Sequence, residues 1–210
     1  MRVLIVGASQ GIGLEATRQA LAAGHQVRAL SRSAATMAQS DPRLEKVVGD
    51  ALKREDMESA VSGVDAVIQT LGVGVRDLFR PVSLFSEATR VLIAAMQGQR
   101  IQRLICVTGF GAGDSESSIG CLQRVPFQLA FGRAYADKSV QEQLIKDSEL
   151  EWTIVRPGVL TSGKARGRYQ VLVDARSWRN GLIARADVAA FLVAQLQDRR
   201  HLHHAPVLVY

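Results

Sequence analysis

Three glycines punctuate the stretch GASQGIG at residues 7 to 13. Glycine loses more conformational freedom on folding than any other residue, so this density marks backbone that must turn tightly or be approached closely. The stretch follows the mostly apolar run Arg2–Val6 and leads directly into LEATRQALAAG, a helical pattern. A strand, a glycine turn and a helix N-terminus make an anion site, because unpaired N–H groups and the positive end of the helix dipole face the same point. In this arrangement Gly7 permits the turn, Gly11 lets the backbone approach a pyrophosphate, and Gly13 lets helix pack on strand. The spacing is G-x3-G-x-G rather than G-x-G-x-x-G, but the physical demands are the same. The pattern predicts a bound dinucleotide.

The end of the second apolar run bears on which dinucleotide. HQVRAL leads into Ser31-Arg32-Ser33. An acid there would favour the free ribose hydroxyls of NAD, whereas an arginine favours the 2′-phosphate of NADP. A charge-assisted bond of this kind contributes ~1.5–3 kcal/mol, enough for a 10- to 100-fold preference. Ser9 offers a hydroxyl to the same phosphate. Further along, VVGDA places Asp50 either at an adenine amino group or at the cap of the next helix, and TLGVG places Gly72 where a cofactor can lie on backbone.

Other candidates carry less. Residues 109–134 read as a long loop on the substrate side, with Phe110 and Phe127 as stacking surfaces for a flat ligand or as ordinary core. His201, His203 and His204 have no carboxylate or thiol close by in sequence and read as a solvated turn, not a metal site. Arg166, Arg168, Arg176 and Arg179 form a basic face that could steer an anionic substrate. Cys106 reads as a small buried hydrophobe.

These residues must be positioned by the elements between them. Apolar runs occur at RVLIV, HQVRAL, LEKVVG, VDAVIQTL, RLICVT, WTIVRP and PVLVY, and helical patterns at about 11–23, 53–62, 83–98, 137–148 and 186–197. Near-continuous apolar strands separated by helices predict a doubly wound α/β fold: one Rossmann-like domain over residues 1–210, its parallel sheet covered on both faces. Gly24 reads as a helix C-cap. Ser83 and Asp187 read as N-caps. The 210 residues are 47% hydrophobic and 22% charged with a formal charge of +6, an ordinary globular balance. The cations are scattered without aromatic interleaving, which argues against nucleic acid. No apolar run reaches the ~20 residues of a membrane span. The two cysteines form neither a disulfide framework nor a metal spacing, which fits a reducing, cytoplasmic location.

GASQGIG, LSRS, VVGDALKREDMESAVSGVDAVIQTLG, RLICVTG and KSVQEQLIKDSELEWTIVRPG together resemble the atypical short-chain dehydrogenases/reductases, most closely small members similar to biliverdin-IXβ reductase/flavin reductase. The resemblance implies an NADP site lined by Gly7, Ser9, Gln10, Gly11, Ile12, Arg32, Asp50, Ala51, Leu71 and Gly72. Thr108 would approach the nicotinamide ribose, and Pro157 with Gly158 the nicotinamide itself. It further implies reduction of a planar conjugated acceptor (a flavin, a quinone or a tetrapyrrole) by NADPH. A non-catalytic NADP(H) sensor is the alternative, and a sugar-nucleotide epimerase or dehydratase fits less well. Oligomeric state stays open between monomer and dimer.

The chain departs from the wider family at the proton donor. Gly109 stands where related reductases often carry Ser, and the candidate pair is Tyr135 with Lys138, a Tyr-x2-Lys spacing; by resemblance, several atypical members instead show a lone Lys followed four residues later by Glu, which Lys138 and Glu142 match. On a helix such positions lie about 60° apart around the axis and ~4.5 Å along it, so they can share a face. A lysine ammonium beside the phenol would lower its pKa toward that of a useful acid. Three readings stand: a catalytic pair, Lys138 as a cofactor contact alone, or a surface ion pair of Lys138 with Glu142.

Overall fold

The structure is a computed structural model that describes residues 1–72 and 83–210, with side chains described over those ranges except at 121–130. The run RVLIV forms β1 (Arg2–Val6). Its alternate residues bury on opposite faces, Val3 and Ile5 in one apolar cluster and Leu4 and Val6 in another. A strand covered on both sides has to be apolar throughout, which is why the sequence shows a continuous run and not an alternation.

The remaining strands follow: β2 (Gln26–Ser31), β3 (Leu44–Val48), β4 (Ala66–Gln69), β5 (Arg103–Val107), β6 (Glu151–Pro157), β7 (Val159–Thr161), β8 (Gln170–Leu172), β9 (Leu182–Ala184) and β10 (Val207–Val209). Eight of them form one sheet in the order β3-β2-β1-β4-β5-β6-β10-β8, while β7 and β9 make a separate parallel pair. The large sheet is parallel except where β10 meets β8. The helices are α1 (Gly11–Ala22), α2 (Arg54–Val61), α3 (Leu84–Gly98), α4 (Cys121–Lys146) and α5 (Arg185–Ala194). α1 and α5 pack together, as do α3 with both α2 and α4. Strand order reverses between β1 and β4, and a crevice opens there beyond the strands' carboxyl ends.

Several expectations change. α4 begins at Cys121, so the stretch expected as a loop at 109–134 is a 3₁₀ turn over Gly113–Ser118 followed by helix. Ser83 occupies the N-cap position of α3 but its side chain caps nothing. Asp137, reaching over from α4, accepts from the backbone N–H groups of Phe85 at 2.8 Å and Ser86 at 3.3 Å instead. Asp187 does not cap α5 either; it accepts from the backbone of Arg166 and Gly167, both at 2.9 Å, and from the Tyr210 hydroxyl at 2.6 Å. Gly24, at φ +86°, does close α1. Phe110, 5% exposed, packs with Ile119, Val207 and Val209 as core. The Phe127 side chain lies outside the described residues.

Candidate active site

A cavity of about 520 Å³ lies over the carboxyl ends of β1, β2, β4, β5 and β6. Gly7, Ser9, Gln10, Gly11 and Ile12 line it from the glycine turn, and Arg32, Asp50 and Ala51 from the ends of β2 and β3. Leu71 and Gly72 line it after β4, Thr108 after β5, and Pro157 at the end of β6. Gly158 does not reach it, because its Cα faces the Gly181 carbonyl, which a Cβ would meet at 2.3 Å. Lys138 lines the cavity, but Tyr135 does not.

The turn is built as its composition demands. Gly7 has φ +84° and Gly11 φ +57°, both in the left-handed region that favours glycine. A Cβ on Gly13 would stand 2.2 Å from the Gly7 carbonyl oxygen, so helix and turn touch there. Among the described residues, a Cβ on Gly11 would meet the Arg185 Nε alone, at 4.0 Å. The space over Gly11 is thus a cradle that the described residues do not fill. α1 opens there with no side-chain cap and no acid in its first turn, so its N-terminal N–H groups await an anion.

At the adenine end, Arg32 is exposed on the cavity wall, and none of the ion pairs among the described residues includes it. Beside it the Ser33 hydroxyl donates to Ser9 Oγ at 3.0 Å. Ser31 lines the same wall, and its buried hydroxyl has no partner among the described residues, a need that a ligand hydroxyl would satisfy. The Asp50 carboxylate accepts from Leu52 N at 3.1 Å, while the N-cap of α2 is Lys53. Asp50 thus shapes the turn before the helix without capping it.

At the opposite end, Lys138 Nζ donates to the Thr108 carbonyl. It also lies 4.9 Å from the centroid of the Phe85 ring and 5.4 Å from that of Tyr135. Burial lowers the Lys138 ammonium to about 8. The Thr108 hydroxyl donates to Glu142 Oε1 at 2.7 Å, and Arg156 Nε donates to the same oxygen at 2.9 Å. Arg156 Nη2 is shared between Glu142 and Asp114. Glu142 and Arg156 are 1% and 0% exposed, so the surface pair Lys138–Glu142 does not form: the carboxylate faces Thr108 and Arg156 inside the protein.

The expected lowering of the Tyr135 phenol by Lys138 is outweighed. Burial raises the Tyr135 phenol. Its hydroxyl presses on Gly109, where a Cβ would come within 2.7 Å of it. The tyrosine therefore occupies the space that a serine at 109 would need, which explains the glycine.

Arg185, Leu160 and Arg156 are not singled out as site residues in the sequence, and Glu142 is singled out there with Lys138 but not with Arg156. A signal existed for Arg185: it begins a helix directly after a strand end, where α/β sheets gather ligand groups. Glu142 and Arg156 meet only through tertiary packing.

A doubly wound sheet with a glycine turn below a long cavity defines a dinucleotide-binding α/β protein. The chain belongs to the NAD(P)H-binding family, whose model matches residues 7–199. It is 30% identical over 210 residues to a Bacillus subtilis (strain 168) protein called the uncharacterized sugar epimerase YhfK, covering 95% of this chain and 89% of that one. The structure of ChuY, an anaerobillin reductase from Escherichia coli O157:H7, superimposes with a TM-score of 0.82 at 25% identity, covering 100% of this chain and 97% of that one. A short-chain dehydrogenase/reductase from Veillonella parvula, in complex with NADP, shares the fold with a TM-score of 0.83 at 15% identity, covering 100% and 94%. The atypical short-chain dehydrogenase/reductase character expected from the motifs agrees with these relatives. Among the described residues no helix is long and apolar enough to cross a membrane.

Proposed function

We propose that this protein is an NADPH-dependent reductase of a planar, conjugated acceptor of the flavin, quinone or tetrapyrrole kind. The observation that carries the cofactor choice is Arg32, a cation without a carboxylate partner among the described residues, flanked by the Ser9 and Ser33 hydroxyls on the cavity wall. The likeness to ChuY supports the acceptor class.

NADPH, when bound, supplies a hydride, and the chain's own residues do the rest. Gly7, Gly11 and the first turn of α1 would hold the pyrophosphate, Arg32 the 2′-phosphate, and Asp50 the adenine. Thr108 gives its hydroxyl proton to Glu142, so towards the cavity it offers lone pairs. It would accept from a ribose hydroxyl and leave proton donation to Lys138. One Lys138 proton is used on the Thr108 carbonyl, which leaves others for the acceptor or the ribose.

Sugar epimerisation, suggested by the name of YhfK, is the weaker reading, because Tyr135 presses on Gly109 and is absent from the cavity lining. The test is titration of wild type and Arg32→Ala with NADPH and NADH, followed by NADPH oxidation with flavins, quinones, biliverdins and small aldehydes. Arg32→Ala is expected to weaken NADPH by about 10- to 100-fold, the value of a charge-assisted phosphate bond, and to leave NADH unchanged. Equal weakening of both removes Arg32 as the phosphate reader. Wild-type turnover with none of the planar acceptors removes the reductase reading.

A further inference from the structure

Arg185 is the first residue of α5, and its side chain lines the cavity from the C-terminal half of the chain. Among the described residues its Nε is the atom from outside α1 that a Cβ on Gly11 would meet, at 4.0 Å. α1 and α5 pack against each other. The cation therefore faces the positive end of α1 and stands at that of its own helix, an arrangement unfavourable by itself. Asp187 supplies a negative charge to the first turn of α5, but the first turn of α1 has no acid. None of the described ion pairs includes Arg185. The carboxylate nearest in sequence, Asp187, is taken by the backbone of Arg166 and Gly167 and by Tyr210. The guanidinium donates from Nη1 to Ser162 Oγ at 3.4 Å, long for a good bond. The acid-free first turn of α1, its missing cap and this guanidinium all face one gap above Gly11.

We propose that Arg185 is a pyrophosphate clamp, closing on the two linking phosphates of the dinucleotide from the side opposite the glycine turn. The proposal rests on the dinucleotide reading above and adds a residue that the motif does not contain. It also assigns the two cavity arginines different tasks: Arg32 distinguishes NADPH from NADH, whereas Arg185 binds what both share.

The experiment is calorimetric titration of wild type, Arg185→Ala, Arg185→Gln and Arg185→Lys with NADPH and with NADH, with a melting curve for each variant. Arg185→Ala should raise Kd for both nucleotides by about 10- to 100-fold, as expected for a lost charge-assisted phosphate bond. Arg185→Gln keeps most of the stem and carries the same expectation should the alanine variant melt early. Arg185→Lys should recover part of the affinity for both. Weakening of NADPH alone would make Arg185 a reader of the 2′-phosphate and overturn the clamp. Unchanged Kd for both, in a wild type that binds both, overturns the clamp and leaves the dinucleotide reading intact. A wild type that takes neither nucleotide overturns both together.

Discussion

At the scale of the residue, the site separates groups that hold charge from groups that hold space. Lys138 is buried enough to bring its ammonium to about 8, where it can give up a proton near neutrality. An acid works in its protonated form, so kcat/KM for NADPH is expected to be level at lower pH and to fall as pH rises through about 8, reaching tenfold per unit. Lys138→Met should abolish that inflection, and Tyr135→Phe should keep it; a pH-rate profile of the three proteins checks both. The two central glycines separate differently. Gly11→Val introduces backbone strain of roughly 1–2 kcal/mol but no clash, so it should fold and lose nucleotide affinity. Gly13→Val drives its side chain into the Gly7 carbonyl and the Thr70 hydroxyl and should lose the native melting transition; calorimetry beside a melting curve distinguishes the two. The glycine turn and the strand ends were legible in sequence because their signals are local: a dihedral only glycine tolerates, or a polar residue closing an apolar run. The pairing of Glu142 with Arg156 was not, because a buried carboxylate looks like any helical Glu until its partner arrives from β6. Tyr135 misled for a similar reason, since helical spacing says that two residues share a face but not what covers that face.

At the scale of the element, α4 shows why one helix was read at half its length. Pro126 and Gly132 fall inside it, and both weaken an isolated helix. The helix nevertheless runs through both, and its later half packs on α3, where Asp137 meets Phe85 and Gln141 meets Thr89. The same packing explains the misplaced cap. Ser83 had the right residue type at the right position, but Asp137 of α4 presents a carboxylate to the same N–H groups. Asp137→Ala should therefore destabilise the protein by about 0.5–2 kcal/mol, the usual cost of a lost cap, while Ser83→Ala should cost almost nothing. Urea denaturation of both variants tests this. β7, β8 and β9 went unseen because each is three residues long, too short for a period to show.

At the scale of the whole molecule, the cavity is roofed and floored by parts far apart in sequence, from Val6 to Arg185. A ligand spanning them stabilises the native state by mass action, about 2.7 kcal/mol at a hundredfold excess over Kd. For a chain of this size that corresponds to a rise in Tm of roughly 5–11 °C. NADPH should produce such a shift in a thermal melt, and Arg32→Ala should reduce it at the same concentration. The alternation of strand and helix was legible in the sequence, but the place of the last strand was not. β10 lies inside the sheet, between β6 and β8. During synthesis residues 207–209 leave the ribosome after the other described strands of the sheet, so the β6 edge stays open and β8 has no neighbour until they arrive. An uncovered apolar edge invites pairing with another chain. The nascent protein is therefore exposed to aggregation at that edge until residues 207–209 arrive, and a break in the coding sequence anywhere before codon 207 would leave it open for good.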